Sequence, residues 1–146
     1  MSGSERLQIK SLSPADAGIL STVAKEVFDD PIIESSIQAF LADPRHRLVV
    51  ALDESLVVGF ISAVIYLHPD KPSPELWINE VGVAPTHQGQ GIGKALMKAM
   101  LDGARRSGCM EAWVLTERDN VAAMALYKAA GGLESRPDPT MFTFSL

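Results

Sequence analysis

The chain has one cysteine, Cys109, in 146 residues, so no intramolecular disulfide can form. Cys109 is read as a packed strand residue, because a catalytic thiol needs an activating neighbour. Basic charge is not in excess: 13 Lys and Arg stand against 18 Asp and Glu, a formal net charge of -5. That balance argues against a general nucleic-acid binder and mildly favours a cationic partner. No apolar run is long enough to span a bilayer, and Met1-Ser2-Gly3-Ser4 does not open a signal-peptide pattern. No membrane association is expected, and a cytoplasmic location is. Metal-ligand spacing is missing as well. No motif pairs His46 with His68, His87 is most simply an exposed turn residue, and Glu75, Glu80 and Glu111 form no metal signature. With no repeat, linker or low-complexity tract, residues 1–146 read as a single domain, with disorder expected at residues 1–5.

What is present alternates between strand and helix signals. Arg6 to Leu12 reads as a first strand. Ser13 and Pro14 open a helix, with Asp16 in a capping-box position and Ile19, Leu20, Val23 and Val27 on its buried face. Asp29-Asp30-Pro31 ends it, and a second helix is predicted through Ile33, Ile37, Phe40 and Leu41. Leu48 to Leu52 and Leu56 to Leu67 are strands joined by a turn at Asp53-Glu54-Ser55, with Gly59 marking a bulge or a close backbone approach. A proline-rich loop follows from His68 to Pro74. Further on, Cys109 to Leu115 is a strand, Asn120 to Ala130 a helix stopped by Gly131-Gly132, Arg136 to Pro139 a turn, and Met141 to Phe144 a last strand. Trp77 and Trp113 fit strand packing or the lining of a pocket.

The chain is organised around residues 76–100. Leu76, Trp77, Ile78, Val81 and Val83 have strand character, and Pro85 ends the strand. Gly89, Gly91 and Gly93 then permit close backbone approach and unusual dihedrals, and Ile92, Leu96, Ala99 and Met100 recur at helical spacing. The helix ends at Arg105-Arg106-Ser107-Gly108, with cations in the last turn and a glycine stop; Gly103 allows close packing. A turn that opens a helix presents unpaired N–H groups, which suit a phosphate or pyrophosphate. A P-loop is excluded because Lys94 is followed by Ala95, and the dinucleotide fingerprint fits poorly.

Gln88, Gly91 and Gly93, preceded by Val81 and Val83, resemble the acyl-coenzyme A signature of the GNAT superfamily of N-acetyltransferases. Asn120, Ala123, Leu126, Tyr127 and Gly131 resemble a second signature of that superfamily, although Gly132 stands where an aromatic is usual. The resemblance implies an α/β fold, with a mixed, mostly antiparallel central sheet and helices on both faces. It further implies acetyl-coenzyme A as co-substrate. The coenzyme would lie along Val81 and Val83, the loop residues Gln88, Gly89, Gln90, Gly91, Ile92 and Gly93, and Asn120 and Tyr127. Lys94 either assists phosphate binding or is a solvated surface lysine.

In that frame Tyr127 is the general acid at the coenzyme sulfur. Glu80 is the general base, directly or through water, or it only orients a cationic substrate, since transfer needs a neutral amine. The expected acceptor is a small-molecule primary amine. The alternatives are a peptide or protein N-terminus and a non-catalytic acyl-coenzyme A binder. A homodimer is consistent with the resemblance and with the need to protect sheet edges.

Overall fold

The computed structural model describes residues 6–135 and 139–146. The disorder expected at residues 1–5, and the turn through Arg136, Pro137 and Asp138, lie outside the described residues.

Strands β1 (Leu7–Ser11), β2 (His46–Asp53), β3 (Leu56–Tyr66), β4 (Glu75–Val83) and β5 (Glu111–Val114) form one sheet in that order. The first three pairings are antiparallel and β4–β5 is parallel. The connections explain the difference. β2 and β3 are joined by a tight turn with Glu54 in the left-handed region, at φ 58°. β4 and β5 are separated by a 15-residue helix, the kind of crossover a parallel pair requires. The helices are a 3-10 helix (Pro14–Ser21), α1 (Glu34–Ala42), α2 (Ile92–Arg106) and α3 (Val121–Ala129).

Residues opposite one another in register share a face of the sheet, so the layers can be assigned. Gly59 lies opposite Val83 and faces α2; a Cβ there would sit 3.1 Å from Ile92 and 3.3 Å from Leu96. Phe60 lies opposite Gly82 on the other face, where its ring stacks on Phe28 at 3.9 Å. Gly82 is required at that spot, because a Cβ would fall 2.3 Å from the Val27 carbonyl oxygen. His46 shares this second face, and Phe40 of α1 packs over it at 4.8 Å. Helices therefore cover both faces, as the resemblance implies. The middle strands are buried on both sides, which is why β2 and β3 read as continuous apolar runs; Val50, Val57, Val58 and Ile61 are fully buried. Ile92, Leu96, Met97, Met100 and Ala104 form the core stripe of α2.

Several expectations are corrected. The first helix is a 3-10 helix that stops at Ser21, and Val23 instead forms a parallel bridge with Val57. The backbone groups of Thr22 and Ala24 find partners on Val57, at 3.0 and 2.9 Å, which competes with helix continuation. Leu20 and Val27 remain buried, and Asp16 accepts from Ser13 as the capping pattern predicts. β5 begins at Glu111, because the Cys109 N–H is still bonded to the Ala104 carbonyl and closes α2. Gly103 does not allow close packing on the sheet; a Cβ there would meet only Arg106. The last strand does not form. Residues 139–146 carry no strand, and Met141, Phe142 and Phe144 are 81%, 78% and 80% exposed. Alternation supplies a face but not a neighbour, and Gly132 has no side chain to anchor the segment that follows α3. Near the start of β3, the bulge falls at Val58, beside Gly59, and Gly59 also makes the close approach to α2.

Candidate active site

β5 pairs with only the first part of β4. Their pairing runs from Glu75–Glu111 to Ile78–Val114, after which β4 continues to Val83 paired with β3 alone. The separation begins where β4 is irregular against β3: Ile78 opposes Ala63 and Glu80 opposes Ser62, leaving Asn79 as an extra residue. This bulge changes which face each later residue presents. Ile78 is buried on the α2 side, whereas Glu80 is exposed on the opposite face, beside Ser62. Val81 and Val83 are half-buried along the unpaired part of β4.

The glycine loop stands at the same end of β4. After a short 3-10 turn (Pro85–His87), Gln88 donates from Nε2 to the Val83 carbonyl at 3.1 Å and ties the loop to the strand. Gly89 and Gly91 have φ of 75° and 80°, values that disfavour any other residue. Gly91 is the N-cap of α2 and offers no side chain, so the first N–H groups of the helix are not capped by one. Gly93 serves differently: a Cβ there would lie 3.3 Å from Leu126, so it sets the approach of α3 to α2. Ile92 is buried in the core, and only its backbone faces the loop's task. Gln90 and Lys94 are exposed, and Lys94 lines a shallow depression with Gly91, Ala95 and Lys98. His87 is not the exposed turn residue expected. It is half-buried, with Nε2 2.8 Å from Asp53 and Nδ1 2.8 Å from the Thr86 hydroxyl, so it pins the loop to the β2–β3 turn.

Tyr127 comes from the α2 side of the splay. It lines a cavity of about 260 Å³ with Ile78, Met97, Cys109, Val114 and Gly132. Burial raises the pKa of its phenol above the ordinary tyrosine value of 10.0, so the group is protonated at neutral pH. Burial also raises the Cys109 thiol, which suits an inert packed residue. Asn120 is the N-cap of α3, its Oδ1 accepting from the Ala123 N–H at 3.1 Å. Glu80 and Tyr127 thus stand on opposite faces of the sheet, one on each side of the gap between β4 and β5.

Sequence reasoning did not join Tyr66, His68, Glu75 and Trp113. Trp113 donates from Nε1 to the Tyr66 hydroxyl at 2.6 Å, and Tyr66 donates to Glu75 at 3.1 Å. His68 also contacts Glu75. Glu75 and Glu111 are opposite in register, and their contact holds the Glu111 carboxyl above its usual range, while His68 first and Glu111 second lower Glu75. Only the pairing register brings these residues together. Among the described residues, no three His, Cys, Asp or Glu side chains are placed to hold a metal ion, and no helix is long and apolar enough to cross a membrane.

A mixed sheet that opens between two parallel strands, with an uncapped glycine-led helix at the open end, defines a GNAT-type acyltransferase fold. The comparisons give the family. Residues 17–131 match the family model described as the acetyltransferase (GNAT) family. The N-alpha-acetyltransferase RimI of Mycobacterium tuberculosis is 35% identical over 129 residues, covering 87% of this chain and 78% of that protein. Among solved structures, an aminoglycoside acetyltransferase from an uncultured soil metagenomic sample, in complex with trehalose, superposes with a TM-score of 0.81 at 20% identity, covering 99% and 100% of the two chains. AAC(6')-Iy in complex with a bisubstrate analogue of coenzyme A and acetylneamine gives a TM-score of 0.77 at 18% identity, covering 96% and 98%. The chain belongs to the GNAT acetyltransferase family. It is an acetyl-coenzyme A-dependent acetyltransferase.

Proposed function

We propose that this enzyme moves an acetyl group from acetyl-coenzyme A to a primary amine of a small molecule, by direct attack. The observation that carries this reading is the coincidence of the gap and the loop: β4 loses its β5 partner at Asn79, and the helix that follows it starts at Gly91 without a side-chain cap. The edge of β4 that β5 leaves uncovered beyond Ile78, around Val81 and Val83, suits the amides of a pantetheine arm. The N–H groups from Gly89 to Lys94, including those of Gln90, Ile92 and Gly93, suit a pyrophosphate, with Gln88 holding the loop in shape. Lys94 adds a positive charge beside them.

Glu80 accepts a proton from the incoming ammonium, directly or through one water, on the face away from α2. A backbone N–H in the gap polarises the thioester carbonyl. Tyr127, kept protonated by its burial, gives its proton to the departing sulfur from the α2 side. Asn120 holds the start of α3, which carries Tyr127, through its cap, and in this reading it also contacts the arm. One carboxyl and one phenol on opposite sides of the gap suit a reaction in which one proton is taken and another delivered.

A protein or peptide N-terminus is the second reading, favoured by the 35% identity with an N-alpha-acetyltransferase. Pairing of two copies is supported by the outer edge of β5, which no strand covers among the described residues.

The test is calorimetric titration of the folded protein with acetyl-coenzyme A, beside Gly91→Val. Saturable binding by the parent and its loss in a folded variant are expected; a well-folded parent that does not bind overturns the site. Turnover of small amines but not of alanyl peptides supports the first acceptor, and the reverse supports the second.

A further inference from the structure

His87 and Asp53 stand 34 positions apart in the chain, and the proposed proton transfers use neither. The fold brings them together. Asp53 is the last residue of β2, opposite Leu7 of β1 and Leu56 of β3, so three strands fix its backbone. The next residue, Glu54, donates its N–H to the Arg6 carbonyl at 3.3 Å. On the other side, the chain leaving β4 is tied to β3 at Ala84, whose N–H donates to the Val58 carbonyl at 2.8 Å. From there Pro85–His87 runs to the β2–β3 turn and delivers His87 to Asp53. Both side chains are largely sheltered, at 17% and 20% exposure.

Their contact has a fixed polarity. An ionised carboxylate only accepts, so His87 Nε2 carries the hydrogen and donates to Asp53 Oδ2 at 2.8 Å. Nδ1 meets the Thr86 hydroxyl at 2.8 Å, as acceptor in a neutral ring and as donor in an imidazolium. Arg6 approaches the other carboxylate oxygen at 3.8 Å. Each ring nitrogen and each carboxylate oxygen therefore has its own partner, and the ring is held in one orientation.

The glycine stretch that follows depends on its two ends. Among the described residues, no heavy atom lies within 4 Å of where a Cβ would stand at Gly89 or Gly91, so side-chain packing does not hold these two. Ile92 anchors the far end in the core. The near end is held by Gln88, on the Val83 carbonyl, and by His87, on Asp53. The first bond reaches β4 and the second reaches the β2–β3 turn, so together they set the direction in which the loop leaves the sheet.

We infer that His87, held by Asp53, is a positioning residue for the coenzyme: it fixes the glycine loop so that the amides of residues 89–94 converge on the pyrophosphate before the coenzyme binds. Preorganisation of this kind lowers the ordering cost of binding. The inference rests on the proposed seat of the pyrophosphate and extends the site to the β2–β3 turn. It also bears on donor specificity. A thioester that carries a pyrophosphate gains from the anchored loop, and one that ends at pantetheine does not. The role calls for no contact of His87 with the acceptor or the thioester.

The variants are His87→Phe, which keeps a ring and loses the donor, and His87→Gln, whose amide N–H still reaches Asp53. Circular dichroism checks that each is folded. Calorimetry gives Kd for acetyl-coenzyme A, and displacement of that ligand gives Kd for acetyl-pantetheine, which lacks the pyrophosphate. His87→Phe should weaken acetyl-coenzyme A roughly tenfold and acetyl-pantetheine by less than about twofold. His87→Gln should keep most of the parent's affinity. In the coenzyme-free protein, hydrogen exchange should quicken in His87→Phe at residues 89–94 and stay as in the parent within β2 and β3. If His87→Phe does not fold, Asp53→Ala removes the same bond from the other side and carries the same expectations. Unchanged affinity for acetyl-coenzyme A in folded His87→Phe overturns the inference. So does an equal loss with both thioesters, the mark of a general structural role. A parent that does not bind acetyl-coenzyme A is a separate result, which overturns the proposed function instead.

Discussion

Trp77 and Glu80 stand on the same face of β4 because Asn79 is an extra residue between them. One inserted position therefore does two things at once. It turns a carboxylate away from the core side of the sheet, and it starts the divergence of β4 from β5. In a strand of the same sequence that alternated evenly from Trp77, the side chain at position 80 would point towards the α2 side.

Replacing Glu80 by Gln removes the proposed base and keeps the shape. Acetylation at neutral pH should fall roughly a hundred- to ten-thousand-fold, the range of a positioned base. Affinity for acetyl-coenzyme A should be unchanged. Initial rates with calorimetry on the same samples check both. A rate loss that appears only in KM would instead assign Glu80 to orienting the acceptor.

Tyr127→Phe should lower kcat roughly a hundredfold or more, since the departing sulfur loses its proton donor. The pH dependence has a definite sign. Burial disfavours the phenolate and raises the pKa above 10.0, so in the parent the donor stays protonated through mildly alkaline conditions. The kcat profile of the parent should therefore show no fall attributable to this group below pH 10.0. Single-turnover rates across pH, parent against variant, are the measurement.

Glu111→Gln should stabilise the fold at neutral pH. The Glu111 carboxyl is held above its usual range, first by its hydrogen bond with Glu75 and then by the charge of that group. A raised folded value gives a contribution that is present below the ordinary 4.5 and is lost as pH rises through the folded value. A neutral amide does not lose it. The melting temperature at neutral pH should rise, and the gain should vanish in acid.

Gly82→Ala should destabilise the protein by about 1–3 kcal/mol, the usual cost of overpacking. Its Cβ would fall 2.3 Å from the Val27 carbonyl oxygen and 2.8 Å from the Phe60 ring. Gly103→Ala, where only Arg106 lies within reach, should be neutral or slightly stabilising. Urea denaturation of the two variants side by side measures the contrast.

Much of this architecture is legible in the residues. The runs at Leu48–Leu52 and Val57–Ala63 announce strands buried on both faces, and the stripe from Ile92 to Ala104 announces a helix with one buried side. Gly89 and Gly91 mark the loop because few other residues tolerate its dihedrals. The bulge at Asn79 leaves no such mark: Trp-Ile-Asn-Glu-Val reads as an ordinary strand, and the irregularity exists only against β3. The same holds for Trp77 with Trp113 and for His87 with Asp53, whose partners are remote in sequence. The last strand fails to form for a related reason. Met-Phe-Thr-Phe has strand alternation, but a ladder needs a second backbone, and none takes up residues 141–144.

The contact of the Val27 carbonyl with the bare backbone of Gly82 has an evolutionary consequence. The segment overhanging the sheet and the strand that carries Glu80 meet there as a single joint. Any remodelling of that overhang to admit a differently shaped amine also displaces the carboxylate two residues upstream. Descendants with new substrates should therefore arise through coupled changes in residues 22–31 and 80–82, with epistasis between the two stretches. The order in which the substitutions are acquired would then decide which routes stay open.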